Sequence, residues 1–299
     1  MRTDFRVVIA LILAMIFWAF SFVWVKIAYE VFNPLTTVML RLIISSAFLF
    51  ISLGLMKKIQ KIDPIHFKWF LLMAFFEPFL YFMGESFGLK VVSSILASVI
   101  VSTIPLFAPI LGYLLFREKI SLMNLIGILV SFFGVAFIVI DGDFSIAVPW
   151  YGIALMFLAV FSALGYSVIL KKLTGHYNSF TIISYQNLIG IIFVAPFFAW
   201  FEWHDFISTP ITKKAIVAVI ELSIFASALA FIFFTYGIRR IGITRSNVFV
   251  NMIPVFTALF AWYLLDDPMT MKKVMGIAIA ISGLFVSQIK YKTYGIPSR

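Results

Sequence analysis

The sequence is built from apolar blocks of roughly twenty residues, separated by short connections that carry turn residues such as Asn33-Pro34 and Asp267-Pro268. A block of this length forms a helix that crosses the roughly 30 Å hydrocarbon core of a bilayer. Hydrophobic residues make up 63% of the chain and charged residues 12%, whereas a soluble domain averages about 25% charged residues. Water-soluble folds cannot bury so much apolar surface. The chain is therefore predicted to be an all-α integral membrane protein with the lipid bilayer as a partner.

Ten transmembrane helices are predicted, at residues 7–28, 34–55, 66–88, 91–115, 122–140, 150–171, 179–201, 213–237, 243–265 and 271–290. The first block is longer than a signal-peptide core and no clear A-x-A-like cleavage site follows it, so we expect it to be retained as a helix. The breaks near residues 90 and 241 depend only on Lys90 and on the pair Arg239-Arg240.

The basic residues predict the orientation of the chain, because lysine and arginine concentrate in cytoplasmic loops. With the N-terminus inside, sixteen of them fall in cytoplasmic segments and five fall outside, namely Lys90, Lys213, Lys214, Lys272 and Lys273. Topology thus accounts for the net charge of +10, and no nucleic-acid partner is predicted. Both termini are expected to be cytoplasmic.

A shift of 149 residues aligns 104–140 with 253–289 without a gap. The aligned pairs include a helix proline, an acidic residue at the following turn and two glycines: Pro105/Pro254, Glu118/Asp267, Gly127/Gly276 and Gly134/Gly283. Apolar composition alone does not readily align such residues. A shift of 145 residues also pairs Lys26 with Lys171 and Arg41 with Gln186.

The alignment predicts two five-helix domains, residues 1–143 and 144–299. Because five is odd, the second copy enters the membrane from the opposite side, so the two domains form inverted repeats. Inverted repeats generate proteins that open to either side around a site near the bilayer midplane. This organisation favours a transporter over an enzyme or a receptor.

Several motifs of the first half carry a family resemblance: Phe17–Phe22, Arg41, Ile104–Phe107, Glu118 and Gly127…Gly134. The second half repeats the last three of these motifs as Pro254, Asp267 and Gly276…Gly283. The chain resembles the drug/metabolite transporter superfamily, in its ten-helix type with two EamA domains. The resemblance implies transport of small metabolites, often export of amino acids or related compounds. The halves differ where Ala163 replaces Trp18 and Gln186 replaces Arg41, so their roles need not be symmetric.

Three polar residues share one face of the predicted third helix, where Glu77, Tyr81 and Glu85 lie four residues apart. Pro78 follows Glu77 and is expected to bend this helix. A charged side chain at the bilayer centre costs about 2.5–3.5 kcal/mol, so it faces a cavity or a partner. Arg41 of the second helix lies at a membrane depth between those of Glu77 and Glu85. It either pairs with one of these carboxylates or binds an anionic group of the cargo. A purely structural ion pair is the alternative. Burial favours the protonated form of a carboxylate, so either glutamate is also a candidate carrier of a coupling proton.

Further candidates for contact with the cargo are aromatic rings, small hydroxyls and amides within the spans: Trp18, Tyr166, Tyr185, Ser98, Ser102, Gln186, Asn247 and Asn251. The alternative for the rings is a lipid-facing position. The alternative for the hydroxyls and amides is helix packing.

The leading hypothesis is a secondary transporter of the prokaryotic cytoplasmic membrane. It moves a small amino acid or amine, including aromatic ones, by alternating access, and the resemblance favours export. An uptake carrier, an intramembrane enzyme and a channel are the alternatives. No catalytic residue, cofactor or metal site is predicted, because His66, His176 and His204 are scattered and no Walker-type phosphate motif occurs. The G-x-S-x-G pattern at 84–88 falls in a helix instead of the strand-to-helix turn that a hydrolase needs.

Overall fold

The computed structural model describes residues 5–107, 122–139, 148–242 and 246–287, and within these ranges the chain forms helices and no strand. The helices are α1 (Phe5–Ala28), α2 (Pro34–Leu55), α3 (Pro64–Val91), α4 (Ser94–Phe107), α5 (Leu122–Val139), α6 (Trp150–Leu173), α7 (Ser179–Phe201), α8 (Lys213–Ile241), α9 (Phe249–Leu265) and α10 (Met271–Ser287). A short helix, Trp203–Ser208, lies between α7 and α8.

Six of the described helices, α1, α2, α3, α6, α7 and α8, are long and apolar enough to cross a membrane. The predicted class, an all-helical multi-pass membrane protein, is therefore confirmed, whereas the count of ten spans, the repeats and the side of each terminus stay predictions. Some residues used in those predictions lie outside the described ranges: Arg2, Arg117, Glu118, Lys119, Asp141–Asp143, Arg245, Lys290, Lys292 and Arg299.

Turn residues set the starts of several helices. Pro34 occupies the first turn of α2, where its missing N–H costs nothing. The side chain of Asp63 accepts a hydrogen bond from Ile65 N at the start of α3, and Asn178 caps α7 in the same way. The short connections seen in the sequence therefore end one helix and begin the next.

Two helices depart from regular α-helical geometry near mid-length, α3 at Phe75–Leu80 and α8 in the π-helical segment Leu222–Leu229. In α3 the backbone of Glu77 is non-helical, with φ −145° and ψ 117°, and Pro78 follows it. The predicted bend at Pro78 is thus confirmed. Pro78 also packs tightly on α7, because a Cβ added at Gly190 would lie 2.3 Å from its Cγ. Such π-helical segments often occur where a helix carries a functional side chain.

Helices α5 and α10 run antiparallel and pack against each other at their glycines. A Cβ at Gly134 would lie 2.5 Å from the backbone nitrogen of Ala280, and one at Gly283 would lie 2.5 Å from that of Ser131. Backbones approach this closely only where side chains are missing. The glycine spacing noted in the sequence therefore positions this helix pair.

Helices α2 and α7 also run antiparallel, and hydrogen bonds join them at both ends. At one end, which we call the Glu202 tie, the Glu202 carboxylate accepts bonds from Leu35 N (3.1 Å), Thr36 N (2.7 Å) and Thr36 Oγ1 (2.8 Å). A carboxylate that follows α7 thus caps the first turn of α2.

At the other end, which we call the Thr181 tie, the start of α7 meets the loop that follows α2. Thr181 Oγ1 accepts a hydrogen bond from Gln60 N (2.9 Å), and Asn178 Nδ2 donates to Lys58 O (2.9 Å). The Tyr177 hydroxyl accepts a bond from Asp63 N (3.0 Å). The pair α2–α7 is therefore fixed at both ends.

Candidate functional site

A cavity lies at the centre of the helix bundle. Its walls come from α1, α2, α3, α4, α6 and α8 and from the segment 247–253, so both halves of the chain contribute. Seven of the residues singled out in the sequence line it: Trp18, Arg41, Glu77, Tyr81, Glu85, Tyr166 and Asn247.

Arg41 is held by three groups in the wall of the cavity. Its Nη1 lies 3.5 Å from Glu85 Oε2, and its Nε donates a hydrogen bond to Ser227 Oγ. The guanidinium carbon sits 3.8 Å from the ring centroid of Phe82, an arrangement in which the ring face attracts the cation. Of the two predicted partners, Glu85 is therefore the one that pairs with Arg41.

The two cavity carboxylates differ sharply in their surroundings. Glu85 Oε1 accepts a hydrogen bond from the Tyr81 hydroxyl (3.2 Å), in addition to the contact with Arg41. Glu77 is only 5% exposed, yet no hydrogen bond to its carboxylate occurs among the described residues. The backbone break at Glu77 and Pro78 places this carboxylate on the cavity wall. Within the described residues, the cavity therefore contains one acid with an ion pair and hydrogen bonds, which we call compensated, and one acid with neither, which we call uncompensated.

Aromatic rings form a further part of the cavity wall. The Trp18 ring makes edge contacts with Phe231 (5.1 Å) and Phe234 (4.9 Å) of α8. The Tyr166 hydroxyl donates a hydrogen bond to Gln186 Oε1 (3.1 Å). Ring faces attract ammonium groups and stack on aromatic solutes. This wall suits an organic cation or an aromatic molecule.

Five other candidate residues do not line the cavity. Ser98 and Ser102 each donate a hydrogen bond to a carbonyl of their own helix, at 2.7 Å. The ring of Tyr185 packs against other aromatic rings, and Gln186 lies behind Tyr166. Asn251 is buried beside a groove between α9 and α10, and its amide atoms have no hydrogen-bond partner among the described residues. Of these five, only Gln186 touches a residue of the cavity wall through a described hydrogen bond.

Ser227 is a site residue that the sequence did not single out. It sits in the π-helical segment of α8, and Asn187 Nδ2 donates to its backbone oxygen (3.0 Å). The one signal in the sequence that could have identified Ser227 is the pair of small polar residues, Ser223 and Ser227, within an apolar span. Because Ser227 receives the Arg41 Nε donor, α8 takes part in positioning the central charge.

His66 and His176 lie close together in the structure, although they are far apart in the sequence. The ring centroids of His66 and His176 lie 4.4 Å apart, and the Tyr177 hydroxyl lies 2.9 Å from His66 Nδ1. Within the described residues, no cluster of three or more His, Cys, Asp or Glu side chains could hold a metal ion.

Just beyond α1, burial raises the pKa of Tyr29, so its hydroxyl stays a neutral donor to Ser86 O (2.9 Å).

The sequence profile of the EamA-like transporter family matches this chain twice, over residues 5–140 and 150–288. An uncharacterized transporter of Archaeoglobus fulgidus is 28% identical over 279 residues, which cover 93% of this chain and 97% of the relative. The uncharacterized transporter YetK of Bacillus subtilis is 29% identical over 225 residues, covering 74% of this chain and 68% of YetK.

A protein of known crystal structure shares the fold, with a TM-score of 0.71 at 18% identity over 94% of this chain and 97% of that one. The resemblance noted in the sequence is therefore confirmed at the level of the family. The chain belongs to the EamA-like transporter family and is a multi-pass membrane transporter.

Proposed function

We propose that this transporter moves a small amine-bearing metabolite, such as an amino acid or an aromatic amine, through the central cavity by alternating access. The observation that carries the proposal is the uncompensated carboxylate of Glu77 on the cavity wall. A buried charge without a partner is costly, so its retention calls for a ligand that neutralises it. The family resemblance favours export as the direction.

The charges of the cavity define the cargo that fits it. Glu85 and Arg41 compensate each other, which leaves the Glu77 carboxylate to receive an ammonium group. No hydrogen bond of Arg41 Nη2 occurs among the described residues, so this group remains as a donor for a carboxylate of the cargo. The rings of Trp18 and Tyr166 supply faces for the rest of the molecule. Amines and zwitterionic amino acids both satisfy this arrangement.

Three observations support the inverted repeat, which is one architecture that permits alternating access. Gly134 packs on Gly276, and Gly283 packs on Gly127, so the contact maps onto itself when the aligned halves are exchanged. The irregular segments Phe75–Leu80 and Leu222–Leu229 overlap at the same shift of 149 residues.

The third observation concerns the two ties. Thr36 and Thr181, which are 145 residues apart, both use the hydroxyl to contact the loop that follows the partner helix. Exchange of the two halves therefore preserves contacts between α5 and α10 and between α2 and α7. Two halves with opposite orientation account for all three observations.

The same carboxylate is the candidate carrier of a coupling proton. A proton and an ammonium group both neutralise Glu77, so binding of one displaces the other. Competition at a single acid couples the outward movement of an amine to the inward movement of a proton without a second site.

A thermal-shift screen of the purified protein against amino acids, amines and cationic drugs tests the proposal. An amine should raise the melting temperature of the wild-type protein and of Glu221→Gln, which alters a carboxylate of α8 outside the cavity. The same amine should not raise the melting temperature of Glu77→Gln. A stabilising amine should also be transported in proteoliposomes. An equal shift in Glu77→Gln would show that the carboxylate is not the ammonium site.

The absence of cysteine makes the predicted orientation directly testable. Lys213→Cys lies at the predicted outer face and Lys61→Cys at the predicted inner face, and both side chains are exposed. A membrane-impermeant maleimide added to intact cells should label Lys213→Cys and spare Lys61→Cys until the membrane is permeabilised. Labelling in the reverse order would invert the predicted topology.

A further inference from the structure

A second groove, of about 550 Å³, opens between α1, the start of α7 and the end of α8. It shares no residue with the central cavity. Its lining is Ala10, Asn178, Ser179, Phe180, Ile232, Phe233, Tyr236, Arg239 and Arg240. The sequence places this end of α8 on the cytoplasmic side, so the groove lies at the level of the inner lipid headgroups.

The charged end of this groove is basic. Arg239 and Arg240 are exposed, no acidic residue lines the groove, and neither arginine forms an ion pair within the described ranges. The Arg240 guanidinium carbon lies 5.4 Å from the Tyr236 ring centroid, and the Lys58 ammonium lies 5.1 Å from that of Phe180. The groove also borders the first turn of α7, at the positive end of that helix dipole. The groove therefore selects an anion.

The rest of the groove is apolar. Ala10, Ile232 and Phe233 form a wall that continues from the two arginines toward the hydrophobic part of the bundle. A free phosphate would occupy only the charged end. An amphiphile with an anionic head and an acyl chain matches both parts.

One polar contact of the first half has no counterpart at this groove. Lys90 aligns with Arg239 at a shift of 149 residues, and Asn33 aligns with Asn178 at a shift of 145. In the first half, Lys90 Nζ donates a hydrogen bond to Asn33 Oδ1 (3.3 Å). In the second half, Asn178 Oδ1 instead accepts the bond from Thr181 N (2.7 Å), which leaves Arg239 without that partner.

We propose that this groove is a binding site for an anionic phospholipid of the cytoplasmic leaflet. The lipid phosphate contacts Arg239 and Arg240, and an acyl chain lies against Ile232 and Phe233. Basic pockets between membrane helices bind anionic headgroups in this manner. The bound lipid would contact α1, α7 and α8 together, next to the Thr181 tie.

Native mass spectrometry of the full-length protein, with phosphatidylglycerol and phosphatidylcholine mixed in equal amounts, tests this site. The wild-type protein should retain phosphatidylglycerol preferentially. At roughly 1 kcal/mol for each arginine, R239Q/R240Q should reduce that preference roughly 30-fold. K57Q/K61Q removes two exposed lysines from the same face, neither of which lines the groove, and should keep the preference.

Two further arms complete the test. R239K/R240K keeps the charge and should restore part of the preference, which controls for a folding defect in R239Q/R240Q. Inorganic phosphate at millimolar concentration should not displace the lipid. Full displacement by phosphate would show that the groove binds anions in general and is not specific for a lipid. Equal lipid retention by R239Q/R240Q and the wild-type protein would overturn the proposal. None of these readouts depends on the cargo, so the result is independent of the proposed function.

Discussion

Glu85→Gln and Glu77→Gln should change the stability of this protein in different ways, although the two residues lie on the same wall of the cavity. Glu85 is the counter-ion of Arg41, and both side chains are almost completely buried, at 4% and 3% exposed. Glutamine in place of Glu85 leaves the buried guanidinium without its ion-pair partner. Glu77 has no hydrogen bond within the described residues, so its replacement removes a costly group.

The magnitude follows from the burial of the ion pair. Removing one partner of a buried pair costs about 3–5 kcal/mol, because the remaining charge loses its compensation. The amide of glutamine keeps an acceptor for the Tyr81 hydroxyl, and Ser227 and Phe82 still contact Arg41, so the lower end of this range applies. At roughly 2 °C per kcal/mol, the melting temperature of Glu85→Gln should fall by roughly 6 °C. For Glu77→Gln we expect an unchanged or higher melting temperature.

The assay is thermal unfolding of the three purified proteins in one detergent, followed by tryptophan fluorescence. Glu221→Gln serves as the matched control, because it removes a carboxylate of α8 that does not line the cavity. Equal loss of stability in Glu77→Gln and Glu85→Gln would refute the assignment of one compensated and one uncompensated acid. A fully stable Glu85→Gln would show that Arg41 does not depend on this counter-ion.

Two other substitutions test the packing around the site. Gly134→Ala should lower stability by about 1–3 kcal/mol, because its Cβ would lie 2.5 Å from the nitrogen of Ala280, whereas Gly54→Ala has nothing within 4 Å and should cost nothing in the same unfolding assay. Ser227→Ala should lower stability by about 1.5–3 kcal/mol through loss of the Arg41 Nε partner, and Ser223→Ala, which removes only a bond within its own helix, should cost less than about 1 kcal/mol. Equal melting temperatures within either pair would contradict these contacts.

The sequence predicted the parts of the site that depend on one helix alone. Glu77, Tyr81 and Glu85 were placed on one face by their spacing, and all three line the cavity. The bend at Pro78 followed from the missing N–H of proline. Local geometry and the cost of charges in lipid decide such features, so no tertiary information was needed.

The features that depend on how helices rotate against each other were not predictable. Ser98 and Ser102 have the same spacing as the α3 residues, yet their hydroxyls bond to their own helix. The contact between Arg41 and Ser227 joins residues 186 positions apart. Packing across the bundle fixes both outcomes, and hydrophobic pattern does not encode it.

The Glu202 tie and the Thr181 tie set unequal thresholds for separating α2 from α7 at the two faces of the membrane. At one face, a carboxylate receives three hydrogen bonds from the first turn of α2. At the other face, the bonds join backbone groups and neutral side chains. Hydrogen bonds to a charged acceptor are roughly twice as strong as neutral ones. We therefore expect α2 and α7 to separate more readily at the Thr181 tie than at the Glu202 tie.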